Sequence, residues 1–354
     1  MARELTLACP GDLNTLTGGY IYDKRILAEL QALGWAVQVL RLDDRFPHVD
    51  ESIRQDTARQ LAAVDHRQIL VIDGLALGAL GAHAKTIRDT RPFVALVHHP
   101  LALESGVDPA TAKNLHQSER HALSYAQHVI VTSQLTRQTL IEQYDVYPEN
   151  VTVIEPGVDL PDRALSSCTE THSPANPLRL LSVGAIVPRK GFDILVNALG
   201  MLGELDWHLT IVGDQGRSVA CTKELSELIG RLNLSDRIHM TGALPEPALA
   251  EQYRCADVFV LASLYEGYGM AYSEALAWGI PVVGTDGGAA AQTLATPAAK
   301  IVPAGNVEAL AATLRALMSN PELRSQMRQA ALDHALALPS WKDSGIRFAQ
   351  TLCH

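Results

Sequence analysis

Two glutamates lie in a glycine-containing segment that follows a short apolar run. The run VFVLA precedes SLYEGYGMAYSEALAWGIPVV, and seven residues separate Glu266 from Glu274. We expect Glu266 in the loop that leaves a strand and Glu274 about one turn into the next helix. One carboxylate can accept hydrogen bonds from sugar hydroxyls and the other from a ribose. The alternative is a solvated helix face, since glutamates at this spacing also occur by chance.

The residues between these glutamates offer backbone amides to a ligand. Gly267 and Gly269 have no side chain that would keep a ligand away from the main chain. The helix that begins near Met270 has N-terminal amides and a dipole that favour an anion such as a diphosphate. Hydroxyl and anion recognition would then fall on one surface, which also includes Tyr268.

A pair of cations follows another apolar strand, in the segment LLSVGAIVPRKGFDILVNAL. Arg189 and Lys190 are expected in the turn at the carboxyl end of that strand. Arginine can bind a diphosphate through two parallel hydrogen bonds, and lysine acts as a point charge. The alternative is ordinary surface charge beside the start of a helix.

Two consecutive histidines, His98 and His99, end the apolar segment FVALVHHP. Consecutive side chains point to opposite sides of a strand, so the two are not expected to bind one metal ion. The end of a central strand faces the edge at which open α/β sheets bind ligands. We therefore assign His98 to the site, with a structural histidine as the alternative, and leave His99 unassigned.

The glycines after the first strand do not form a common nucleotide motif. The chain reads CPGDLNTLTGGYIYDKRIL there, without GxGxxG, and no GxxxxGK[ST] occurs in the sequence. This argues against a dehydrogenase and a P-loop NTPase. Gly18 and Gly19 open a helix expected to begin near Tyr20, where free amides favour an anion. A tight turn is the alternative.

The motifs lie in a chain of short apolar runs that alternate with longer amphipathic stretches, as in parallel strands covered by helices. The pattern predicts an α/β protein with two Rossmann-like, doubly wound domains and a ligand-binding cleft between them. The domains are expected at residues 1–165 and 176–339, joined by a polar linker near 165–177, and a terminal helix near 340–354 can pack back on the first domain. The predicted strands lie near residues 5–8, 37–40, 69–72, 93–98, 128–131, 151–154, 178–183, 209–212, 238–240, 258–261, 280–283 and 300–302.

Composition excludes several classes of partner. The 354 residues are 47% hydrophobic, and 29 Lys and Arg against 39 Asp and Glu give a net charge of -10 without any cationic run. This argues against nucleic-acid binding and against attraction to an anionic membrane. Five scattered cysteines without metal-ligand spacing are expected to be reduced, buried thiols. The apolar run at the N-terminus is too short for a signal or an integral membrane segment, so a cytoplasmic location is expected.

The sequence resembles the retaining glycosyltransferases of family 4, which have the GT-B fold. The most specific segments are EGYGMAYSE, similar to the family's E-x7-E motif, together with VGAIVPRKG, IVGDQG and CADVFVLAS, while TGGY and FVALVHHP match more loosely. The resemblance implies transfer of a hexose from a nucleotide diphosphate sugar to an acceptor hydroxyl, with the anomeric configuration kept. UDP-glucose is the donor by family frequency. The resemblance implies no metal, and no cofactor beyond the nucleotide sugar as co-substrate.

The resemblance also implies roles for individual residues. Glu266 would contact sugar hydroxyls, Glu274 the ribose, and Arg189 with Lys190 the diphosphate. His98 falls where the family often has a histidine near the donor sugar and the reaction centre. The implied catalytic residues are His98, Arg189, Lys190 and Glu266, and the implied donor-binding residues are Gly18, Gly19, Gly213, Asp214, Gly267, Tyr268, Gly269, Met270 and Glu274.

Two positions depart from the family pattern, and the acceptor stays open. Ala185 stands where the family frequently has Arg, so Arg189 must supply part of the phosphate clamp or the clamp is weaker. Ala291 stands where a Glu is often found, which could alter loop anchoring near the donor. The helix candidate DESIRQDTARQLAAV is mixed in charge, which favours a small soluble acceptor, for example a pterin, over a diacylglycerol-type lipid. A nucleotide-sugar epimerase and a non-catalytic sensor are the alternatives of other classes, and the oligomeric state is open.

Overall fold

The computed structural model describes residues 3–104, 107–161 and 177–353. The chain divides into two compact units, Met1–Gly157 with Pro339–His354, and Val158–Leu338. Most of the linker predicted near residues 165–177 lies outside the described residues. Among the helices of the described ranges, none combines the length and the apolar character needed to cross a membrane.

The first unit contains a parallel sheet in the order β2-β1-β3-β4-β5-β6. Its strands are β1 (Glu4–Pro10), β2 (Ala36–Leu42), β3 (Ile69–Asp73), β4 (Val94–Val97), β5 (His128–Val131) and β6 (Val151–Val153). Its connecting helices are α1 (Gly18–Ala32), α2 (Glu51–Ala62), α3 (Gly74–Leu80), α4 (Ala84–Arg88), α5 (Pro109–Leu123) and α6 (Gln134–Gln143). Strands β3 to β5 are almost wholly buried, so they read as continuous apolar runs rather than alternating ones.

The second unit contains a parallel sheet in the order β12-β11-β10-β7-β8-β9. Its strands are β7 (Leu178–Val183), β8 (Trp207–Val212), β9 (Ile238–Gly242), β10 (Val258–Val260), β11 (Val282–Thr285) and β12 (Ala299–Val302). Its helices are α7 (Phe192–Gly200), α8 (Val219–Arg231), α9 (Glu246–Cys255), α10 (Met270–Ala277), α11 (Ala290–Thr293), α12 (Val307–Met318) and α13 (Pro321–Ala335). Its core is built around large buried side chains such as Trp207, Phe259 and Tyr272.

The predicted strands are confirmed in number and position in the described part of the chain. Both sheets reverse their direction of growth once: the chain moves from β2 across β1 to β3, and from β9 across β7 to β10. Open parallel sheets bind ligands at the carboxyl ends of the two strands that flank such a reversal. The residues that follow β1, β3, β7 and β10 are therefore the first places to look for a site.

The terminal helix α14 (Trp341–Thr351) belongs to the first unit. Ser340 and Asp343 form a reciprocal cap at its start. The Ser344 hydroxyl donates to the Glu155 carbonyl at 2.7 Å, and Trp341 lies edge-on to Tyr22 of α1 with ring centroids 5.9 Å apart. Helix α14 thus completes a core whose other elements lie about 190 residues or more earlier in the sequence.

The expectation that all cysteines are buried is wrong for part of the chain. Cys9 is buried in β1, whereas Cys221 and Cys255 are half-buried and Cys353 is exposed near the end of α14. These four cysteines are thiols that form no disulfide within the described residues, and Cys168 lies outside those residues. The exposed position follows from the last turn of an amphipathic helix, whose outer face meets solvent.

Candidate active site

Glu266 and the two cations come together where the second sheet reverses. Glu266 follows β10, and Arg189 and Lys190 form a short turn after β7. The Lys190 ammonium donates to Glu266 Oε1 at 2.5 Å, and Arg189 Nη1 lies 3.5 Å from Oε2. The Ser263 hydroxyl also donates to Oε1, at 2.6 Å. The sequence prediction placed these three charged side chains in one site but did not identify Ser263.

The charge of Glu266 is held by its neighbours although the side chain is only 5% exposed. Burial alone would raise the pKa of this carboxyl, but the positive charges of Lys190 and Arg189 and the hydrogen bonds from Lys190 and Ser263 outweigh it, so the pKa is lowered. Glu266 is therefore an ionised hydrogen-bond acceptor at neutral pH. An ionised carboxylate fixed in this way is suited to accept hydroxyl hydrogen bonds from a sugar.

Backbone contacts fix the loop that carries Glu266. Its N–H donates to the Gly287 carbonyl at 3.2 Å, and its carbonyl accepts from the Ala289 N–H at 2.7 Å. Gly288 has a φ of +66°, and a Cβ there would lie 2.3 Å from the Glu266 carbonyl oxygen. A side chain at Gly288 would push the loop away, so Gly287 and Gly288 allow the backbone to hold the loop. This backbone contact is present although Ala291 stands where the family often has Glu.

The Arg189 side chain contacts the loop that follows β10. Besides the weak contact to Glu266, its Nη1 donates to the Tyr265 carbonyl at 2.9 Å. Ala185 lies earlier in the same turn, at the position where the family often has Arg. Its carbonyl accepts a hydrogen bond from the Val187 N–H at 2.9 Å. The guanidinium of Arg189 thus ties the turn after β7 to the loop after β10, while its side chain stays 18% exposed.

Glu274 lies about one turn into α10, as predicted. Its Oε2 accepts a hydrogen bond of 2.6 Å from the Tyr253 hydroxyl of α9. Tyr253 is 3% exposed, and burial together with the Glu274 charge raises its pKa far above the usual value, so it stays a donor. Sequence reasoning missed Tyr253, because nothing in the helical pattern of α9 distinguishes it from a core tyrosine.

The segment before α10, which the sequence predicts to bind the donor, reaches the start of the helix through glycines. Gly269 has a φ of +95° and precedes α10, whose start has no side-chain cap. Met270 is the first residue of the helix, and Gly267 lies in the loop before it. The Tyr268 side chain is 9% exposed, and its carbonyl accepts from the Thr293 hydroxyl at 2.6 Å.

Gly213 and Asp214 form the turn after β8. A Cβ at Gly213 would lie 1.9 Å from the Gly184 carbonyl oxygen, so only glycine lets the turns after β7 and β8 touch. Asp214 Oδ1 accepts from the Gly216 N–H at 2.8 Å, and its carbonyl accepts from the Ile186 N–H at 2.9 Å. Both residues therefore shape the edge of the sheet next to Arg189 and Lys190.

His98, Gly18 and Gly19 belong to the first unit, where that sheet also reverses. Helix α1 begins at Gly18, two residues before the predicted start, and the Thr17 hydroxyl caps it by accepting from the Tyr20 N–H. Gly18 has open space beside it, whereas a Cβ at Gly19 would lie 3.0 Å from the His98 ring. Gly19 thus permits His98 to lie against the start of α1. His99 is a separate case, because its Nε2 lies 2.9 Å from Glu104 Oε2.

Two aspartates meet His98, and sequence reasoning identified neither. His98 Nε2 lies 3.1 Å from Asp23 Oδ1 and 3.8 Å from Asp73 Oδ2. Asp23 lies on the buried face of α1, and Asp73 ends β3 and caps α3 through the Leu75 N–H. Asp73 could have been found from its place at the end of the run ILVID, whereas Asp23 carries no comparable sequence mark. Burial and the charge of Asp23 raise the pKa of Asp73 to about 7, against a lowering effect of His98.

Two family descriptions match this chain. Glycosyl transferases group 1 matches residues 169–334, and Glycosyltransferase Family 4 matches residues 22–161. Among curated relatives, a D-inositol 3-phosphate glycosyltransferase of Kineococcus radiotolerans is 32% identical over 257 residues, which are 66% of this chain and 58% of that protein. The protein of the same name from Thermomonospora curvata is 31% identical, over 67% of this chain and 59% of that protein. The chain thus spans about three fifths of the length of these relatives.

Solved structures share the fold at low identity. Sucrose-phosphate synthase from Thermosynechococcus elongatus aligns with a TM-score of 0.82 at 21% identity and covers 98% of both chains. Anabaena HepE in complex with UDP and glucose aligns with a TM-score of 0.76 at 18% identity over the full length of both chains. These likenesses show a two-domain α/β protein of the GT-B fold. The two matched families and the curated relatives agree, and the chain belongs to the group 1 glycosyltransferases.

Proposed function

We propose that the protein transfers a hexose from a nucleotide diphosphate sugar to a hydroxyl group of a small polar acceptor, with retention of the anomeric configuration. UDP-glucose is the proposed donor. The observation that carries the proposal is the ionised Glu266 held by Lys190 and Arg189 at the reversal of the second sheet. This arrangement places a carboxylate that can accept hydrogen bonds from sugar hydroxyls beside cations that can bind a diphosphate.

The proposed reaction makes use of these charges at the leaving group. The bond between the sugar C1 and the phosphate oxygen breaks, and its electron pair stays on the diphosphate. Lys190 and Arg189 stabilise the negative charge that develops there, which lowers the barrier because this charge is largest in the transition state. The acceptor oxygen forms the new bond to C1 on the same face, and its proton passes to the departing phosphate oxygen. Glu266 binds sugar hydroxyls and is not a nucleophile in this scheme.

Glu274 and the start of α10 are proposed to bind the nucleotide part. A ribose hydroxyl can donate to the Glu274 carboxylate, whose other contact is the Tyr253 hydroxyl. The uncapped amides at the start of α10 favour the diphosphate. The names of the relatives support this donor class: HepE was solved with UDP and glucose.

The proposed acceptor is a small polyol or a similar soluble hydroxyl compound. The curated relatives are named for D-inositol 3-phosphate, which supports a phosphorylated cyclitol as the first acceptor to try. The same screen includes a pterin and a diacylglycerol-type lipid, the two acceptors considered from the sequence.

Screening in two steps tests the proposal. Thermal shift with UDP-, GDP- and ADP-sugars identifies the donor, since a ligand that binds the folded state raises the unfolding temperature. The best donor is then incubated with each acceptor, release of nucleoside diphosphate is measured, and the anomeric configuration is read by NMR. We expect stabilisation by UDP-glucose and acceptor-dependent release of UDP with a retained α-linkage.

Two controls separate this function from its alternatives. Glu266→Gln is expected to abolish transfer while the fold is kept, and the exposed Glu308→Gln serves as the matched control. Binding of a donor without turnover would indicate a sensor, and conversion of the donor into another nucleotide sugar would indicate an epimerase. Either result would overturn the proposed transferase.

A further inference from the structure

Asp23 is a buried carboxylate that folding alone does not explain. It is 1% exposed and lies on the face of α1 that otherwise buries Tyr22, Ile26 and Leu27. Its Oδ2 has no hydrogen-bond partner, and in the part of the chain that the structure describes no Lys or Arg forms an ion pair with it. Burying a charge of this kind costs free energy unless the charge is paired with a hydrogen-bonded partner.

The partner is the imidazole of His98. Asp23 Oδ1 lies 3.1 Å from His98 Nε2, and a carboxylate oxygen can only accept, so Nε2 carries the hydrogen. The Thr132 hydroxyl donates to the His98 carbonyl at 3.2 Å, and the Tyr22 ring lies edge-on to the imidazole with centroids 5.4 Å apart. The backbone, one ring face and one ring nitrogen of His98 are thereby fixed.

The other ring nitrogen is left for a ligand. Within the described ranges, no protein group hydrogen-bonds to Nδ1, and the side chain is 19% exposed. With Nε2 protonated, Nδ1 accepts a hydrogen bond if the ring is neutral and donates one if the ring is charged. The charge state of His98 therefore decides what His98 can offer to a sugar hydroxyl or to a phosphate.

We propose that Asp23 is a positioning residue that holds His98 in one orientation and as an imidazolium, whose Nδ1–H donates to the sugar or phosphate of the substrate. The proposal rests on the proposed glycosyl transfer and adds a residue that the family motifs do not name. Gly19 takes part by leaving room for the ring against α1.

The electrostatics of the cluster agree with this geometry. Burial alone would lower the pKa of His98, but Asp23, through its charge and its hydrogen bond, and Asp73 outweigh it, so the pKa is raised. Two titratable groups beside the cluster, Tyr22 and Cys9, stay neutral: burial raises the pKa of Tyr22, and burial with Asp73 and Asp23 raises the pKa of Cys9 to about 12. The charged groups nearby are Arg347, Arg41 and Asp12.

A double-mutant cycle tests the proposal. Asp23→Asn keeps an oxygen acceptor for Nε2–H but removes the charge, and His98→Gln removes the imidazole. We expect Asp23→Asn to lower kcat/KM about 10- to 100-fold, by analogy with the loss of a carboxylate that orients a metal-bound histidine. In the His98→Gln background the same change should have no further effect. Glu29→Gln, which neutralises another carboxylate of α1, is the matched control and should leave kcat/KM unchanged.

Two further readouts distinguish positioning from a structural role. In Asp23→Asn the pKa of His98, followed by NMR and assigned with the His98→Gln spectrum, should fall, and the basic limb of the pH–activity profile should move to lower pH with it. The NMR titration needs no substrate, so it tests the Asp23–His98 coupling even if no donor is turned over. Failure of the proposed function can therefore be distinguished from failure of the proposed role of Asp23.

Three results would overturn the proposal. The first is an unchanged His98 pKa in Asp23→Asn. The second is an equal loss of activity from Asp23→Asn in both backgrounds, which would indicate a structural role. The third is loss of wild-type activity with EDTA and recovery with a divalent ion, because Asp23, Asp73 and His98 would then be metal ligands.

Discussion

At the scale of single residues, the charge of each candidate group is set by its immediate partners. Lys190 and Arg189 keep Glu266 ionised in a buried position, and Tyr253 keeps one oxygen of Glu274 in a hydrogen bond. The same residue types would behave differently on a solvated helix face. Substitutions at these positions therefore separate binding of the nucleotide from stabilisation of the leaving group.

Lys190→Ala is expected to reduce kcat by about 100-fold or more, because it removes a cation from the charge that develops on the diphosphate. The affinity for the donor should change less, since that charge is smaller in the ground state. Steady-state kinetics and donor titration provide the two numbers. Lys223→Ala on the exposed face of α8 is the control, and an equal loss in kcat and in donor affinity would contradict the assignment.

Glu274→Ala is expected to weaken nucleotide binding mainly, since its carboxylate is proposed to bind the ribose. Tyr253→Phe keeps the carboxylate and removes one hydrogen bond to it, so its effect should be smaller, about 1 kcal/mol in the binding free energy. Calorimetric titration with UDP measures both. Affinity of the wild-type value in Glu274→Ala would exclude the ribose contact.

At the scale of elements, buried polar groups hold turns near the sheet edges. Glu119 of α5 is fully buried, and its Oε2 accepts from the Leu101 N–H at 2.9 Å, which fixes the turn that follows the two histidines. Burial raises the pKa of Glu119 to about 8, against the lowering effect of the Leu101 and Tyr144 hydrogen bonds. The protonated carboxyl is therefore the favoured form in the folded protein.

This raised pKa predicts a pH-dependent stability. A folded pKa above the unfolded value of 4.5 gives a contribution that is complete below about pH 4.5 and is lost as the pH rises through about 8. Glu119→Gln removes this dependence, so it should stabilise the first unit at pH 8 by up to about 4 kcal/mol, at about 1.4 kcal/mol per pKa unit, and have little effect near pH 4.5. Urea unfolding at both pH values, with the exposed Glu149→Gln as the control, measures the difference. A constant difference at both pH values would refute the expected titration.

At the scale of the whole molecule, the chain ends in the unit in which it began. Trp341 of α14 is 5% exposed, packs on Tyr22, and lies under the Arg25 guanidinium at 5.2 Å. A Cβ at Gly345 would clash with the Glu29 side chain, so glycine at this position lets α14 approach α1 closely. The first unit therefore depends on a helix that follows the whole second unit in the sequence.

Trp341→Ala is expected to destabilise the first unit by about 3–5 kcal/mol, the usual cost of removing a buried tryptophan. Hydrogen exchange should show lost protection in α1 and α14, with the amides of β7 to β12 as the internal reference. Lys342→Ala, at an exposed neighbouring position, is the control. Unchanged protection of α1 would mean that α14 contributes little to this core.

Residue patterns alone were sufficient to predict the α/β class, the positions of the strands and the place of Glu266, Arg189 and Lys190 at strand ends. These follow from local patterns: apolar runs form buried strands, and polar residues directly after them must lie at a sheet edge. The loop glycines and the cation pair are recognised in the same local way.

The contacts between distant side chains depend on how the elements pack and could not be predicted from these patterns. His98 and Asp23 lie 75 positions apart, and Tyr253 and Glu274 lie 21 apart, so neither contact is contained in a local pattern. Strand order brings the ends of β1, β3 and β4 together in one unit and those of β7 and β10 in the other. Asp23 lies on the buried face of α1 and reaches His98 only once these elements are packed together.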